Sequence, residues 1–324
     1  MKALQTLGVQ ESVRLWRYTT LKTGGPAEFF ATAFQLDHLA ELALSAQRHG
    51  IPVTTLGWGS NVLPSDRGVP GLVLHNATTQ IEIDHRRVVA DSGVGFQELF
   101  LKCLHRGLGG LEYAVGIPGT VGGALVSNAG AYRSNVSEFL TGLEIVHEGT
   151  RRWVEPTWME FEYRDSRLRR PGAPTCTILR IEMLLPLADL KKSYDEARDY
   201  QRQRIGKQPP PASAGSFFKN VNDPDLAAGL DSLPPRLKEA GVVPAGYLIQ
   251  EAGLAGARLG GAMLTNRHAN FMVNAHGATA SDVRSLASFA IEKVEAKFGV
   301  RLEEEVLYLG DWSDWVALAG VQLG

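Results

Sequence analysis

The run Ile51-Pro52-Val53-Thr54-Thr55-Leu56 is β-type, and it stops on Gly57-Trp58-Gly59-Ser60-Asn61-Val62-Leu63. Glycines at this spacing turn backbone N–H groups toward an anion with no Cβ in the way, and Ser60 and Asn61 add side-chain donors. This is the composition of a diphosphate cradle. It is not the dinucleotide fingerprint, because the third glycine of G-x-G-x-x-G is absent. Taken alone, the cluster reads first as an ordinary tight turn after a strand, since short Gly/Asn/Ser clusters usually mark plain loops.

Upstream, 37–49 carries apolar residues at helical spacing and ends at Gly50. Downstream, Leu72-Val73-Leu74-His75 is a second β-type run, so the first 75 residues or so read as a small α/β unit. Strand-like alternation recurs at 80–84, 87–90, 143–146 and 176–181, around one helix at 96–106 closed by Gly107. That mixture reads as α+β. A polar, helix-prone stretch at 187–206 runs into the breaker Gln208-Pro209-Pro210-Pro211, the expected domain boundary. Beyond it stands a helix at 281–298, with Ser281-Asp282 as its expected cap and Gly299 at its end.

Three more clusters carry chemistry. Gly116-Ile117-Pro118-Gly119-Thr120-Val121-Gly122-Gly123-Ala124 continues through Asn128-Ala129-Gly130-Ala131-Tyr132, with five glycines in residues 116–130. It makes a poor helix and a poor strand, and its small side chains admit a flat ligand such as a flavin or nucleotide. A small-residue packing site between domains is the alternative. In Gly215-Ser216-Phe217-Phe218-Lys219-Asn220 the serine lacks the downstream glycine of a nucleophile elbow. Asn266-Arg267-His268 has no second histidine or carboxylate at ligand spacing, so no metal is expected. Arg164, within 161–170, reads as part of a basic surface run, and Glu303-Glu304-Glu305 as a solvated face. Flanking Leu302 and Val306 leave room for one of the three glutamates to point inward.

Composition excludes several classes. Over 324 residues, 33 Lys+Arg against 35 Asp+Glu leave a net charge of −2, which does not suit binding to nucleic acid by bulk charge. Two cysteines make neither a disulfide framework nor a cysteine-based zinc site, and a reducing, cytoplasmic compartment is expected. Residues 1–11 read as a poor secretory signal, and no apolar run approaches the roughly 20 residues of a membrane helix. Thirty-five glycines without a period exclude collagen and repeat architectures.

In order, Tyr18–Ala27, the 57–63 loop, the 116–132 stretch, Tyr163-Arg164-Asp165-Ser166, 215–220, 252–271 and Leu302-Glu303-Glu304-Glu305-Val306 closely resemble the UDP-N-acetylenolpyruvoylglucosamine reductase (MurB) family. The likeness spans about Tyr18 to Val306. It implies an α+β protein with an FAD-binding fold of the vanillyl-alcohol-oxidase type and a C-terminal α+β substrate domain. The implied division is 1–76 and 77–206 for two flavin subdomains and 207–306 for the substrate domain, with 307–324 packing on the first subdomain. Also implied are FAD as cofactor, NADPH as reductant, and reduction of an enolpyruvyl UDP-sugar to UDP-N-acetylmuramate.

By the same resemblance, Arg164, Ser216 and Glu305 are catalytic: Arg164 and Glu305 stabilise charge and Ser216 gives a proton. Glu305 is the match because the motif reads Leu-Glu-x-Glu-Val. Gly57, Trp58, Gly59, Ser60, Asn61, Val62 and Leu63 fall on FAD positions, as do Gly116, Ile117, Pro118, Gly119, Thr120, Gly122, Gly123 and Ala124. Tyr132, Lys207, Asn220 and His268 fall on the substrate side. Partners are then small molecules alone, without nucleic acid or membrane insertion, and a monomer is expected.

Departures from the family pattern are Arg133, Ser134 and Asn135 after Ala-Gly-Ala-Tyr, and Val221 after Phe-Lys-Asn. The short 185–207 stretch leaves little room for the substrate-clamping tyrosine loop of some members, which points to the shorter subtype. Two other readings compete. One is a flavin oxidase of the wider fold, disfavoured by the lack of an obvious His or Cys for covalent flavin attachment near 57–63. The other is a non-enzymatic nucleotide binder, disfavoured by retention of all three catalytic positions.

Overall fold

The computed structural model describes residues 8–207 and 212–324, with Lys207 described by its backbone alone. The breaker at 208–211 lies outside the described residues. The described residues gather into two compact units: 8–14, 26–59 and 69–206 form one, and 15–25, 60–68, 207 and 212–324 the other. Segments 15–25 and 60–68, read from sequence with the first 76 residues, therefore cluster with the C-terminal part.

In the first unit, strands Gln10–Arg14, Pro26–Ala33, Val69–Asn76 and Val53–Leu56 lie side by side in that order. The first pair is antiparallel and the other two are parallel. Val69–Asn76, in the interior of this sheet, is buried on both faces, as its near-continuous apolar sequence requires. Helix Leu36–Arg48 buries Leu39, Leu42, Ala43 and Ala46, spaced for one helical stripe.

The same helix also shares its core with Val146 and Leu179 of a second sheet, so its apolar face serves both sheets. That sheet is antiparallel throughout, in the order Thr150–Val154, Leu140–His147, Cys176–Leu184, Arg87–Asp91, Ile81–Asp84. Helices Phe96–His105 and Val121–Val126 contribute to its core. The second of these overturns the reading of 116–132 as a continuous loop. Thr120 accepts the Gly123 N–H at 3.3 Å as its cap, and burial of Val121, Ala124 and Leu125 outweighs the poor helix propensity of two glycines. Leu190–Lys207 is one 18-residue helix, so the 185–207 stretch holds no inserted loop.

The second unit is built on helix Ala280–Phe298 and the antiparallel sheet Ser213–Ser216, Phe271–Asn274, Ala262–Leu264, Arg258–Leu259. Leu21 and Leu63, from the two early segments, are fully buried in its core. Strand Leu307–Leu309 runs parallel to Val62–Pro64. The long helix starts one residue earlier than expected and is capped by Thr279, not Ser281. Thr279 accepts the Asp282 N–H, while an Asp282 carboxylate oxygen accepts the Thr279 N–H. Asp66 then takes the N–H groups of Ala280 and Ser281, each at 2.8 Å, so the helix start is neutralised from 214 residues away.

The sharpest electrostatic feature of the first unit is Glu144 on the antiparallel sheet. It is 6% exposed and accepts from Arg151 and Arg180, both at 2.7 Å. Burial alone would raise its pKa, but the two arginine hydrogen bonds outweigh it and hold the carboxyl below its ordinary value. A depressed folded-state pKa adds stability that is present above the unfolded carboxylate range and lost as pH falls through the folded value. Glu144→Gln is therefore expected to destabilise the neutral-pH protein by roughly 1–3 kcal/mol. It should also flatten the fall in Tm below about pH 4.5, the ordinary glutamate value. Thermal melts of both proteins from pH 7 to pH 3 check this, and parallel Tm curves would contradict it.

Candidate active site

The two glycine-rich stretches of the sequence approach each other at Gly57 and Thr120, both in the first unit. A Cβ on Gly57 would lie 2.4 Å from Thr120 Oγ1, so the loops touch at a point where only hydrogen fits. Trp58 stays 52% exposed, and its ring edge covers Gly95. Gly59 has φ +62°, a conformation that disfavours any Cβ. Around 116–123 several amides are already committed: Gly116 to Gln97 Oε1, Ile117 to Ala114, Val121 to Val94 and Gly122 to Ser92. These bonds make the second loop a rigid, small-residue surface, so what it offers a flat ligand is close approach rather than those N–H groups. Both features fit a flavin nucleotide.

Arg164 belongs to the same unit and does not behave as an ordinary surface arginine. Its backbone has φ +53°, and its guanidinium donates to the Gly130 carbonyl. Asn128, Tyr132 and Arg133 also hold positive φ, at 40°, 54° and 68°. Each such residue costs about 1–3 kcal/mol and persists only where its surroundings dictate it. Local anchors do so here: Ser166, fully buried, donates to the Val126 carbonyl at 2.7 Å, and Asn128 donates to Glu162 O at 2.9 Å. The departing residues Ser134 and Asn135 close a short hairpin on Gly130–Ala131, so the variation stays local.

Residues that sequence reading left unassigned join this cluster. Tyr200 stacks on Tyr132 with centroids 3.7 Å apart and planes at 8°. Arg204 lies 5.8 Å from the Tyr132 ring centroid, and its Nε is buried without a hydrogen-bond partner among the described residues. Burial holds the Arg204 pKa below its ordinary value; Tyr132 opposes this and the nearby positive charge of Arg164 adds to it. Two guanidinium groups close enough to repel form an environment that an anion would relieve. The basic motif Arg204-Ile205-Gly206-Lys207 carries both cations in its sequence; the Lys207 side chain lies outside the described residues.

In the second unit, Ser216 pairs with Phe271 and Ser213 with Val273, so the strand gains a residue at a bulge containing Gly215, φ +77°. Bulges re-aim side chains beside active sites. Phe217 and Phe218 are 0% and 1% exposed and anchor the chain just beyond Ser216. Asn270, missed from sequence, clamps Phe218 by accepting its N–H and donating to its carbonyl, both at 2.9 Å. The Glu305 N–H donates to Phe217 O at 2.7 Å, and Asn61 Nδ2 donates to Glu305 O at 3.1 Å.

Glu303 is exposed and paired with Lys219 at 3.2 Å, whereas Glu304 and Glu305 are half-buried. The Asn220 side chain accepts the Ala245 N–H at the start of helix Ala245–Glu251. His268 packs edge-on to Phe271 with centroids 5.0 Å apart. Among the described residues no group of three His, Cys, Asp or Glu is arranged to hold a metal, and no helix is long and apolar enough to cross a membrane.

Residues 27–154 match the FAD-binding domain family, and 206–309 match the C-terminal domain of UDP-N-acetylenolpyruvoylglucosamine reductase. A UDP-N-acetylenolpyruvoylglucosamine reductase of Synechococcus sp. is 37% identical over 311 residues, covering 94% of this chain and 93% of its own. The chain belongs to the UDP-N-acetylenolpyruvoylglucosamine reductase (MurB) family. A Bacillus licheniformis reductase of the same name is 34% identical over 96% of this chain and 97% of its own. The crystal structure of MurB from Thermus caldophilus superposes with a TM-score of 0.72 at 32% identity, covering 92% of this chain and 98% of that one. The protein is thus a flavin oxidoreductase of α+β architecture, as expected from its motifs.

The cofactor loop is open to direct test. Gly59→Val places a β-branched residue at φ +62° and is expected to yield folded protein without flavin. The ratio of 450 nm to 280 nm absorbance, with far-ultraviolet circular dichroism as the folding control, reports the outcome. Full flavin occupancy in this variant would remove the loop from the FAD site.

Proposed function

We propose that this MurB-family protein reduces UDP-N-acetylglucosamine enolpyruvate to UDP-N-acetylmuramate with NADPH as reductant, in the cytoplasm, and that Arg164, Ser216 and Glu305 carry the chemistry. The observation that carries this reading is the backbone bond from Glu305 to Phe217, which holds the glutamate segment beside the serine's bulge. FAD, when bound and reduced by hydride from NADPH, would supply the hydride that the enolpyruvyl double bond accepts. Gly57–Leu63 and Gly116–Ala124 are assigned to hold that cofactor, an assignment supported by the Gly57–Thr120 approach.

The residues of the chain then have separate tasks. Negative charge develops on the substrate carboxylate as the double bond is reduced. A planar guanidinium such as Arg164, fixed by its bond to Gly130, holds that charge without reorganising. Glu305 is assigned a hydrogen bond to the same carboxylate group. The carbon left electron-rich needs one proton. A serine hydroxyl is a weak acid, but the centre it faces is strongly basic, so Ser216 serves when positioned. Tyr132, Lys207, Asn220 and His268 are assigned to the sugar nucleotide.

Ser216→Ala is expected to leave FAD content and flavin reduction by NADPH nearly unchanged. Reoxidation of the reduced flavin by the enolpyruvyl substrate should slow by about 10²–10⁴-fold, the usual contribution of a positioned general acid. Ser216→Cys should recover part of the rate. Anaerobic stopped-flow absorbance resolves the two half-reactions, and a loss confined to the NADPH step would end the proton-donor assignment. Lys207→Ala is expected to raise KM for the UDP-sugar with little change in kcat, measured by steady-state kinetics. Unchanged KM would remove Lys207 from the substrate contacts.

A further inference from the structure

Arg284 stands, half-buried, in the first turns of helix Ala280–Phe298. Its guanidinium carbon lies 5.0 Å from the Tyr308 ring centroid, 4.6 Å from Trp312 and 4.0 Å from Trp315. Its Nη1 is buried without a hydrogen-bond partner among those residues. A half-buried cation in such surroundings is held by ring faces, and a planar guanidinium suits three of them. All three rings come from 308–315, so the cage forms only when the tail closes over the helix.

Other bonds tie the same segment down within the second unit. The Ser65 N–H donates to Leu309 O at 2.9 Å and its hydroxyl to Asp311 O. Arg67 pairs with Asp311 at 3.1 Å and with Asp314. The Leu318 N–H donates to Ser285 Oγ at 3.0 Å, and Arg258 and Gln322 exchange two backbone bonds at 2.8 Å. The tail leads directly from Glu305. Tyr308, one wall of the cage, donates its hydroxyl to a Glu304 carboxylate oxygen. Glu304 is bridge-paired with Phe218, where successive side chains point to opposite faces.

We infer that residues 307–324 are a positioning strap for Glu305, anchored by Arg284: the cage fixes Tyr308, Tyr308 fixes the Glu304 side chain, and that sets the opposite direction for Glu305. This inference rests on the role given to Glu305 above. Arg284 is a positioning residue, since no contact with substrate is required of it.

The test uses flavin-loaded protein carrying Arg284→Met, Arg284→Lys, Glu305→Gln, or Arg284→Met with Glu305→Gln, with both half-reactions followed by anaerobic stopped-flow well below each Tm. Arg284→Met is expected to keep FAD content and the NADPH half-reaction within about twofold. It should slow reoxidation by the enolpyruvyl substrate about 10- to 100-fold, the scale of a 1 Å misplacement. Arg284→Lys should restore part of that rate, because an ammonium keeps the ring attraction without the planar stacking. Added to Glu305→Gln, Arg284→Met should cost less than about twofold more, the non-additivity of residues acting through one group. Equal slowing of both half-reactions, or full multiplication of the two effects, would overturn the strap. A slow Glu305→Gln beside a wild-type Arg284→Met would overturn the strap alone, whereas wild-type reoxidation in Glu305→Gln would overturn the reading of Glu305 itself. If Arg284→Met does not fold, Trp315→Leu removes one wall of the cage and is read by the same criteria.

Discussion

The peptide of Glu305 is held on both sides. Its N–H meets Phe217 O at 2.7 Å, and its carbonyl receives the Asn61 amide at 3.1 Å. Three segments far apart in sequence thereby share one register in the second unit. Each bond alone contributes about 1 kcal/mol, but a half-buried polar group left unmatched costs more, so the register is strongly preferred. Around it the structure is consistent: Asn270 fixes Phe218, Val62–Pro64 runs with Leu307–Leu309, and Leu63 fills the core below. The placement of Ser216 follows from that frame and from the bulge at Gly215.

The first unit depends on a different constraint, the burial of helix Leu36–Arg48 against two sheets. Gln47 ties it to the second sheet, donating to Val146 O while accepting the Gly149 N–H. With the sheets so held, the glycine loops can approach to the distance seen between Gly57 and Thr120. Backbone strain gathers nearby in sequence, at Asn128, Tyr132, Arg133 and Arg164. Such strain at residues with polar or charged side chains is where a fold gives up stability for a site.

Most elements were legible because their periodicity is strong. The helices at 36–48 and 96–105 and the strands at 81–84, 87–91 and 176–184 differ from their sequence reading by a few end residues at most. Helix Val121–Val126 was not legible, since two glycines hide a helix that exists through burial and the Thr120 cap. Arg204 was legible as a residue but not as one whose Nε is buried, because a polar helix shows nothing of which side is covered. The Asp66 cap on helix Ala280–Phe298 had no local signal at all: a carboxylate 214 residues away leaves no trace in the helix's own sequence.

Sequence alone determined the family, the cofactor class and the identity of the catalytic candidates, because chemistry selects residue types and short spacings, and both survive in linear order. Tertiary structure alone decided that residues 15–25 and 60–68 fold with the C-terminal unit. It also decided that Arg164 shares its surroundings with Arg204, and that the tail closes over Arg284. Those are matters of burial and long-range pairing. A guanidinium reads the same in the sequence whether water, a carboxylate or three aromatic rings surround it, and only the folded chain chooses among them.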